Sequence, residues 1–484
     1  MRRGWGFAAL LWRQAVAFGG PRRVLTCGAR RANGSPARAS LLADGAVADG
    51  ASPDASAFLR AWEAEGARLL LAVVTLGLEE EAVEYLVDHA VTRREDVFVL
   101  PRPNGAAVAG EGAVTRVLIR LGDDADQQAD RIVRAPVVQA VLAFVGETSG
   151  VESQGSWAPS GEDVLPTGGL RTIFDVVRES PHWASALGLV GREARTFRAS
   201  GACGGRGAGR EYTALDVMTA MGGAALQVGR GFAVDLYGYD FELYGFLWGD
   251  CFACGILLGG EWRPNRNKAN YKFAVAPFGE SVARAYVERL AENDDTPWYM
   301  PKLRPSTSLL LLLMAGLKDG DVFLDPMGGS GTIAIEAAVR YEVTAMTADN
   351  DRQTLSAAVK AVVRARPFLR GTCVAVDMDA TNMAAVADSS VDVIVADTPF
   401  GNRCRWDIAR ELPLLAREVA RVLKPGGRCV LLMKSHRRLD AVLERDSCLR
   451  VTQRRAVGIG GFDCYAIVCE PTGALDAPAA LDAP

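Results

Sequence analysis

Four aspartates in the last third of the chain stand where apolar segments end, and carboxylates in such places can bind a nucleoside. They are Asp325, Asp349, Asp379 and Asp397. At the carboxyl edge of a parallel sheet, Asp349 is placed to accept hydrogen bonds from ribose hydroxyls and Asp379 from an adenine amino group. The alternative for both residues is a turn or helix cap, since Asp351 and Asp377 lie close by. The pattern predicts a nucleoside site.

A glycine-rich turn follows the first of these segments and leads into a helical pattern. It reads D-P-M-G-G-S-G-T over residues 325–332, and Gly328, Gly329 and Gly331 let the backbone pass close to a bound nucleoside. Gly329, Gly331 and Ala334 also satisfy G-x-G-x-x-A, so a nicotinamide-dependent oxidoreductase stays open as an alternative.

The sequence D-T-P-F-G over residues 397–401 points to chemistry on an aromatic amine. Methylation of such an amine requires its lone pair to be freed from the ring and aimed at a methyl donor. Asp397 and a neighbouring backbone carbonyl can hold the two N–H bonds, and Pro399 fixes the direction of that carbonyl. Phe400 can stack on the base. Alone, the same string would also fit a turn with a core phenylalanine.

The elements around these residues predict an α/β fold. From Val322 onwards, strands alternate with helices: strands over 322–324, 343–348, 373–376, 391–396 and 428–433, and helices over 332–339, 353–365 and 408–423. This alternation predicts a parallel, doubly wound sheet with its ligand at the carboxyl ends of the strands.

Two smaller units precede this sheet. The first has strands over 69–74 and 114–121, helices over 78–87 and 133–145, and a loop over 149–170. The second has an extended segment over 196–199, a helix over 214–228 capped by Thr213, and strands over 233–236, 242–248 and 253–258.

Residues 300–470 resemble the class I S-adenosylmethionine-dependent methyltransferases that act on exocyclic amino groups of nucleic-acid bases. The segments D-P-M-G-G-S-G, D-N-D, D-T-P-F-G and L-K-P-G-G carry this resemblance in order. Residues 191–262 are similar to a THUMP domain in the segments T-F-R-A-S and R-E-Y-T-A-L-D. Residues 66–190 are similar to the ferredoxin-like unit usually fused before that domain, in the segment T-L-G-L-E-E-E-A. The resemblance thus implies a Rossmann-like methyltransferase sheet after a ferredoxin-like unit and a THUMP domain, with a linker over 263–299.

This resemblance implies an RNA guanosine N(2)-methyltransferase acting on U6 small nuclear RNA or on tRNA. It implies S-adenosylmethionine as cofactor, bound by Asp325, Asp349, Asp379 and the three glycines, and a small zinc-binding activator subunit as partner. Two departures stand out: Gly328 where many relatives have cysteine, and Thr398 where many have proline or a hydrophobic residue. A non-catalytic RNA-binding module is a further alternative.

Arginines supply candidate RNA contacts. The net charge is −4, so any affinity for RNA must come from local patches. We expect phosphate contacts from arginines of the second unit and from those that follow the D-T-P-F turn, with a solvated surface as the alternative. These arginines are Arg198, Arg206, Arg210, Arg403 and Arg405.

Composition limits the remaining possibilities. With 49% hydrophobic residues the chain is globular, and no apolar run reaches the length of a membrane helix. The ten cysteines indicate reduced thiols, and Cys251 with Cys254 fits a core strand better than a metal site, so we expect no metal.

The two ends of the chain differ in composition from the rest: residues 1–60 are arginine-rich, and residues 471–484 are typical of a disordered tail. We expect a nuclear or cytoplasmic protein; the N-terminus also fits a mitochondrial transit peptide or a disordered extension.

Overall fold

The fold was analysed in a computed structural model of the 484-residue chain. The residues that the structure describes are 59–62, 66–100, 115–160, 163–191, 193–204, 210–259, 303–399, 406–459 and 462–472. Two large sheets account for most of the strands, which confirms the predicted α/β class.

The first sheet has eight strands in the order β2-β3-β1-β4-β10-β9-β7-β8. Its strands are β1 (Arg68–Val74), β2 (Val97–Val99), β3 (Thr115–Leu121), β4 (Ala140–Thr148), β7 (Thr196–Gly204), β8 (Ala233–Val234), β9 (Phe241–Trp248) and β10 (Cys251–Gly259). A separate hairpin comprises β5 (Trp157–Ser160) and β6 (Asp163–Pro166). The helices of this half are α1 (Glu79–Asp88), α2 (Ala125–Arg134), α3 (Gly168–Glu179), α4 (Trp183–Val190) and α5 (Ala214–Leu226).

This sheet crosses the predicted boundary between the ferredoxin-like unit and the THUMP domain, because β4 pairs with β10. The division at residues 190 and 191 therefore stays a prediction. Thr213 caps α5 as expected: its side chain accepts a hydrogen bond from the Asp216 backbone amide, and Asp216 accepts one from the Thr213 amide.

The second sheet has seven strands in the order β13-β12-β11-β14-β15-β17-β16. Its strands are β11 (Val322–Asp325), β12 (Thr344–Asp349), β13 (Thr372–Asp377), β14 (Val391–Asp397), β15 (Leu423–Met433), β16 (Leu449–Ile459) and β17 (Phe462–Pro471). Its helices are α6 (Pro305–Met314), α7 (Thr332–Arg340), α8 (Arg352–Ala365), α9 (Ile408–Val422) and α10 (His436–Leu443). The first five strands are parallel, as predicted, whereas β17 runs antiparallel between β15 and β16.

Alternating residues of the second sheet enter two hydrophobic cores. Val393 and Val395 of β14 pack on the α6 and α7 side, whereas Ile394 and Ala396 pack on the α9 side. A parallel sheet covered on both faces needs such apolar strands, because neither face meets water. In β14 the two aspartates, Asp392 and Asp397, accordingly lie near the two ends of the strand.

The loop after β1 and helix α1 contact the second sheet and its helix α6. The Gly458 amide of β16 donates to the Leu76 carbonyl at 2.9 Å, and the Thr75 and Thr307 hydroxyls are 2.8 Å apart in a buried position. The Arg455 guanidinium donates to both carboxylate oxygens of Glu81 on α1 at 2.5 Å. These bonds fix the end of β1 against the second sheet.

Three predicted elements differ from the structure. The helix expected over 133–145 is wrong: α2 ends at Arg134 because Pro136 forces Ala135 into extended backbone, and the apolar run after it is β4. The loop expected over 149–170 contains the β5–β6 hairpin and the start of α3. Strand β15 begins at Leu423 instead of residue 428, so Gly426 and Gly427 lie inside it, and Gly426 takes a left-handed φ of +79°.

Among the described helices, none has both the length and the apolar character needed to cross a bilayer.

Gly77 offers a test of the contact between the sheets. It has a φ of +91°, and a Cβ there would stand 2.1 Å from the Ala456 carbonyl oxygen of β16. We expect Gly77→Ala to lower the free energy of unfolding by several kcal/mol, from left-handed strain of roughly 1–2 kcal/mol plus the clash. Gly150→Ala is the matched control, since φ is +74° there and no atom lies within 4 Å of its Cβ. Equal losses in urea denaturation of the two variants would contradict a tight contact.

Candidate functional site

The turn after β11 leads the chain from the sheet into α7. The Gly328 amide donates to the Ala348 carbonyl at 2.8 Å, and the Gly331 amide to the Gly328 carbonyl at 2.7 Å. Gly329 and Gly331 have φ values of +56° and +82°, which glycine adopts without cost. The turn is therefore held against the end of β12.

Gly328 has no room for a side chain. A Cβ at this position would lie 1.8 Å from the Thr347 hydroxyl oxygen of β12. That hydroxyl is buried and has no hydrogen-bond partner. A cysteine at this position would meet the Thr347 side chain as placed here, so the two residues are sterically coupled.

Asp349 connects β12 to the glycine turn. One carboxylate oxygen accepts from the Gly329 amide at 3.2 Å, and the other accepts from the Asp351 amide at 2.8 Å. Each carboxylate oxygen retains acceptor capacity beyond these bonds. This position agrees with the predicted contact to ribose hydroxyls, which stays a prediction.

Asp397 ends β14, and the turn after it is fastened to β15. Thr398 donates twice to the Leu432 carbonyl, from its amide at 3.0 Å and from its hydroxyl at 2.9 Å. A proline at this position would lack the amide donor. Threonine thus fixes the direction of its own carbonyl by bonding to the neighbouring strand. Pro399 follows with a trans peptide bond.

Three of the four predicted aspartates converge. Burial raises the pKa of the Asp325 carboxyl well above its usual value, and the nearby Asp397 and Asp349 carboxylates raise it further. Burial also raises the pKa of Asp349, and raises that of Asp397 from 3.8 to about 7. Because the charged forms of all three are destabilised, a cationic ligand would be stabilised among them.

Asp379 differs from the other three. Strand β13 ends at Asp377, so Asp379 lies in the following turn and is exposed. One of its oxygens accepts from the amide and hydroxyl of Thr381, at 2.8 and 2.7 Å. This is the turn-forming role named above as the alternative, and the contact with adenine stays a prediction.

Several predicted site residues lie outside the described residues, so the structure does not test them. They are Phe400, Arg206, Arg403 and Arg405. Of the remaining arginines, Arg198 lies in β7. The Arg210 guanidinium donates to the carbonyls of Gly249 at 2.8 Å and Gly204 at 3.4 Å, and its Cζ lies 5.7 Å from the Tyr212 ring centroid. Arg210 thus ties loops of the first sheet together.

The structure adds residues that the sequence did not single out. Cys464 of β17 is buried near Asp397, whose carboxylate is among the charges that raise the pKa of this thiol after burial itself. Lys434 follows β15, and its Nζ lies 5.8 Å from the Phe462 ring centroid. The antiparallel register of β15 and β17 brings Lys434 close to Phe462 and Cys464, and no sequence motif predicts that register.

The described residues contain no group of three or more metal-ligating side chains. Cys251 and Cys254 are both buried in β10, as expected of core positions. The converging acids and the close glycine turn instead fit a nucleoside that carries a positive charge, since hydroxyls can donate to Asp349 and the cation offsets the buried acids.

Comparison with known proteins gives a consistent result. Residues 299–463 match the family model described as UPF0020: RMKL-like, methyltransferase domain. The U6 snRNA (guanine-N(2))-methyltransferase THUMPD2 of Bos taurus is 29% identical over 247 residues, which cover 50% of this chain and 42% of that protein. The tRNA (guanine(6)-N(2))-methyltransferase THUMP3 of Mus musculus is 31% identical over 161 residues, or 30% of this chain and 31% of that protein. The matched regions therefore span less than half the length of these relatives.

The crystal structure of TrmN from Thermus thermophilus has a similar fold. It superposes with a TM-score of 0.53 and 23% sequence identity, covering 83% of this chain and 99% of that chain. The similarity therefore extends over both sheets rather than over the second alone.

The steric coupling of Gly328 and Thr347 can be tested by a double-mutant cycle. We expect Gly328→Ala to lower the free energy of unfolding by roughly 1–3 kcal/mol, because the new methyl group displaces the Thr347 side chain. Thr347→Ala removes the opposing hydroxyl, so the double variant should recover at least half of that loss. Strictly additive losses in urea denaturation would show that the two positions do not contact each other.

Proposed function

We propose that this chain transfers a methyl group from S-adenosyl-L-methionine to the 2-amino group of a guanosine in structured RNA. The observation that carries the proposal is the Asp397 carboxylate, which ends β14 beside a turn fixed by Thr398 and close to the acids of the cofactor side. The match of residues 299–463 to a methyltransferase domain supports the reaction class.

The cofactor supplies an electrophilic methyl group on a sulfonium cation. Asp349 and the amides of the glycine turn would bind its nucleoside part, and Asp325 would support that turn by accepting from the Met327 amide at 3.2 Å. Because burial destabilises the charged forms of these carboxyls, a cation beside them is stabilised more than the neutral thioether product. Release of the product is therefore favoured after transfer.

Asp397 and the Thr398 carbonyl would orient the target amine. Both are acceptors, so each can bind one N–H bond and leave the nitrogen lone pair free to attack. The new C–N bond forms as the C–S bond breaks, and the sulfur keeps the electron pair. The methylated nitrogen then loses a proton to solvent, so no strong general base is needed. We assign stacking on the base to Phe400.

Sheet topology argues against the oxidoreductase alternative. Dinucleotide-binding folds have parallel strands in the order 3-2-1-4-5-6. Here the antiparallel β17 separates β15 from β16. The strands around the G-x-G-x-x-A turn keep the order 3-2-1-4-5, so the departure from a dinucleotide-binding fold lies at the far edge of the sheet, where β17 is inserted.

The two relatives define the substrate class that we propose. One is named for U6 snRNA and the other for tRNA, and both names specify the guanine N(2) position. The first sheet, including Arg198 of its β7 strand, would bind the RNA.

The proposal also includes a partner and a location: a small zinc-binding activator subunit, and the nucleus or the cytoplasm. Mitochondrial import would depend on residues 1–58, which lie outside the part of the chain that the structure describes.

Methyl transfer from labelled S-adenosylmethionine tests the function directly. The full chain, purified with and without the co-expressed activator, should label a U6 snRNA transcript or a tRNA transcript, and nucleoside analysis should yield N(2)-methylguanosine. S-adenosylhomocysteine, but not NAD, should raise the melting temperature. Absence of label from total RNA in the presence of the activator would favour a non-catalytic RNA-binding module, and methyladenosine would contradict the choice of guanine.

The titration of Asp397 predicts a pH dependence. Its raised pKa means that the protonated form prevails below about pH 7, and a neutral carboxyl is a weaker acceptor for the amine N–H bond than the carboxylate. We expect kcat/KM for S-adenosylmethionine to rise with pH around this value and then to level off. Asp397→Asn should lower kcat/KM roughly 100-fold or more and flatten the profile. S-adenosylhomocysteine affinity should stay within several-fold.

Asp126→Asn is the control for this profile, because Asp126 is an exposed aspartate of α2 far along the chain from the site. Its pH profile should match that of the unaltered protein. If Asp397→Asn retains both activity and pH dependence, another group titrates and the role assigned to Asp397 is wrong.

A further inference from the structure

A lysine and a phenylalanine lie at the carboxyl edge of the second sheet beside Asp397. Lys434 directly follows β15, and Phe462 is the first residue of β17. Phe462 is 45% exposed although it is a large apolar side chain, and the Lys434 side chain is exposed as well. An aromatic ring and an ammonium group in contact with each other thus face solvent at the edge that holds the site.

The strand register places these two side chains on the same face as Asp397. Asp397 pairs with Leu432, so these two side chains share one face of the sheet. Lys434 comes just after the end of β15, and its contact with the Phe462 ring brings it to the face that Phe462 occupies. Met433 pairs with Tyr465 on the adjacent antiparallel strand. By the same alternation, Phe462 and Cys464 point to that face too.

Electrostatics supports this placement independently. The Cys464 thiol, whose pKa is raised mainly by burial, responds to the negative charge of Asp397 and to the positive charge of Lys434. Both charged groups therefore lie close enough to the Cys464 thiol to act on it. The Lys434 Nζ lies 5.8 Å from the centroid of the Phe462 ring. This cation–π attraction restricts the position of the ammonium group without neutralising its charge.

We propose that Lys434 is a specificity-determining residue that donates a hydrogen bond to the 6-carbonyl oxygen of the target guanine. The proposal rests on the proposed function, because Asp397 must first hold the 2-amino group. The 6-carbonyl then lies on the same Watson–Crick edge as the 2-amino group, on the other side of N1, where only a donor can pair with it. An ammonium group has three donors and no acceptor, which suits that oxygen.

The same contact would exclude adenine. With its 6-amino group at Asp397, adenine presents a C–H group on the far side of the ring, and Lys434 gains no acceptor there. The Asp397 turn binds an amine without distinguishing the two purines, so a second contact is required for selectivity. Lys434 supplies it, and discrimination arises from an unpaired charge in the wrong complex.

The test uses the RNA accepted in the methyl-transfer assay, synthesised with guanosine or with 2-aminopurine at the methylated position. 2-Aminopurine keeps the reactive amine but lacks the 6-oxygen. The unaltered protein should prefer guanosine by roughly 10- to 100-fold in kcat/KM. Lys434→Met should lower kcat/KM for guanosine RNA and reduce this preference at least roughly tenfold, whereas Lys434→Arg, which keeps the donors, should retain most of it.

Lys318→Met is the matched control, because it removes one exposed lysine before β11, at the opposite edge of the sheet. It should leave the preference unchanged, and all variants should bind S-adenosylhomocysteine as the unaltered protein does. Equal losses on both RNAs in Lys434→Met would overturn the proposal, since a structural defect lowers both rates. Failure of the unaltered protein to methylate any guanosine RNA would overturn the proposed function, and this inference with it.

Discussion

A single backbone carbonyl, that of Leu432, fixes the geometry on which the site depends. It accepts both the amide and the hydroxyl of Thr398, at 3.0 and 2.9 Å, and so fastens the end of β14 to β15. Each bond is worth on the order of 1 kcal/mol, but their geometric effect is larger. With both Thr398 donors committed to β15, the turn keeps a single direction, and the Asp397 carboxylate beside it is held in place.

That position has an electrostatic consequence. Asp325, Asp349 and Asp397 come from three neighbouring strands, and burial raises the pKa of each. The described part of the site thus contains three carboxyl groups that water does not fully solvate. A site of this kind favours a cationic donor of a methyl group and disfavours its neutral product. Acceptors alone bind the amine of either purine, so a hydrogen-bond donor is needed if the site is to distinguish bases, and Lys434 is the donor that we propose.

The sequence predicted the second sheet well because its physical signals are local. Apolar runs ending in aspartate, glycines in a turn and helical spacing between them specify a parallel sheet and the edge where its acids meet. The differences have local causes too: Pro136 ends α2 inside an apolar run, and Trp157 begins a strand within a stretch of turn-forming residues. In contrast, the contact of Lys434 with Phe462 depends on antiparallel pairing between strands of little motif content. The coupling of Gly328 to Thr347 depends on the 1.8 Å that would separate a Cβ at residue 328 from the Thr347 hydroxyl oxygen, and the spacing of residues in the sequence does not predict this distance.

The most direct measurement is the titration of the Asp397 carboxyl carbon by ¹³C NMR in the full chain, with the signal assigned from its absence in Asp397→Asn. The account predicts a pKa of about 7 in the free protein and a lower value when the cationic cofactor is bound. A pKa near the ordinary aspartate value, unchanged by the cofactor, would mean that the carboxylate faces water away from the cofactor, and the account would be wrong.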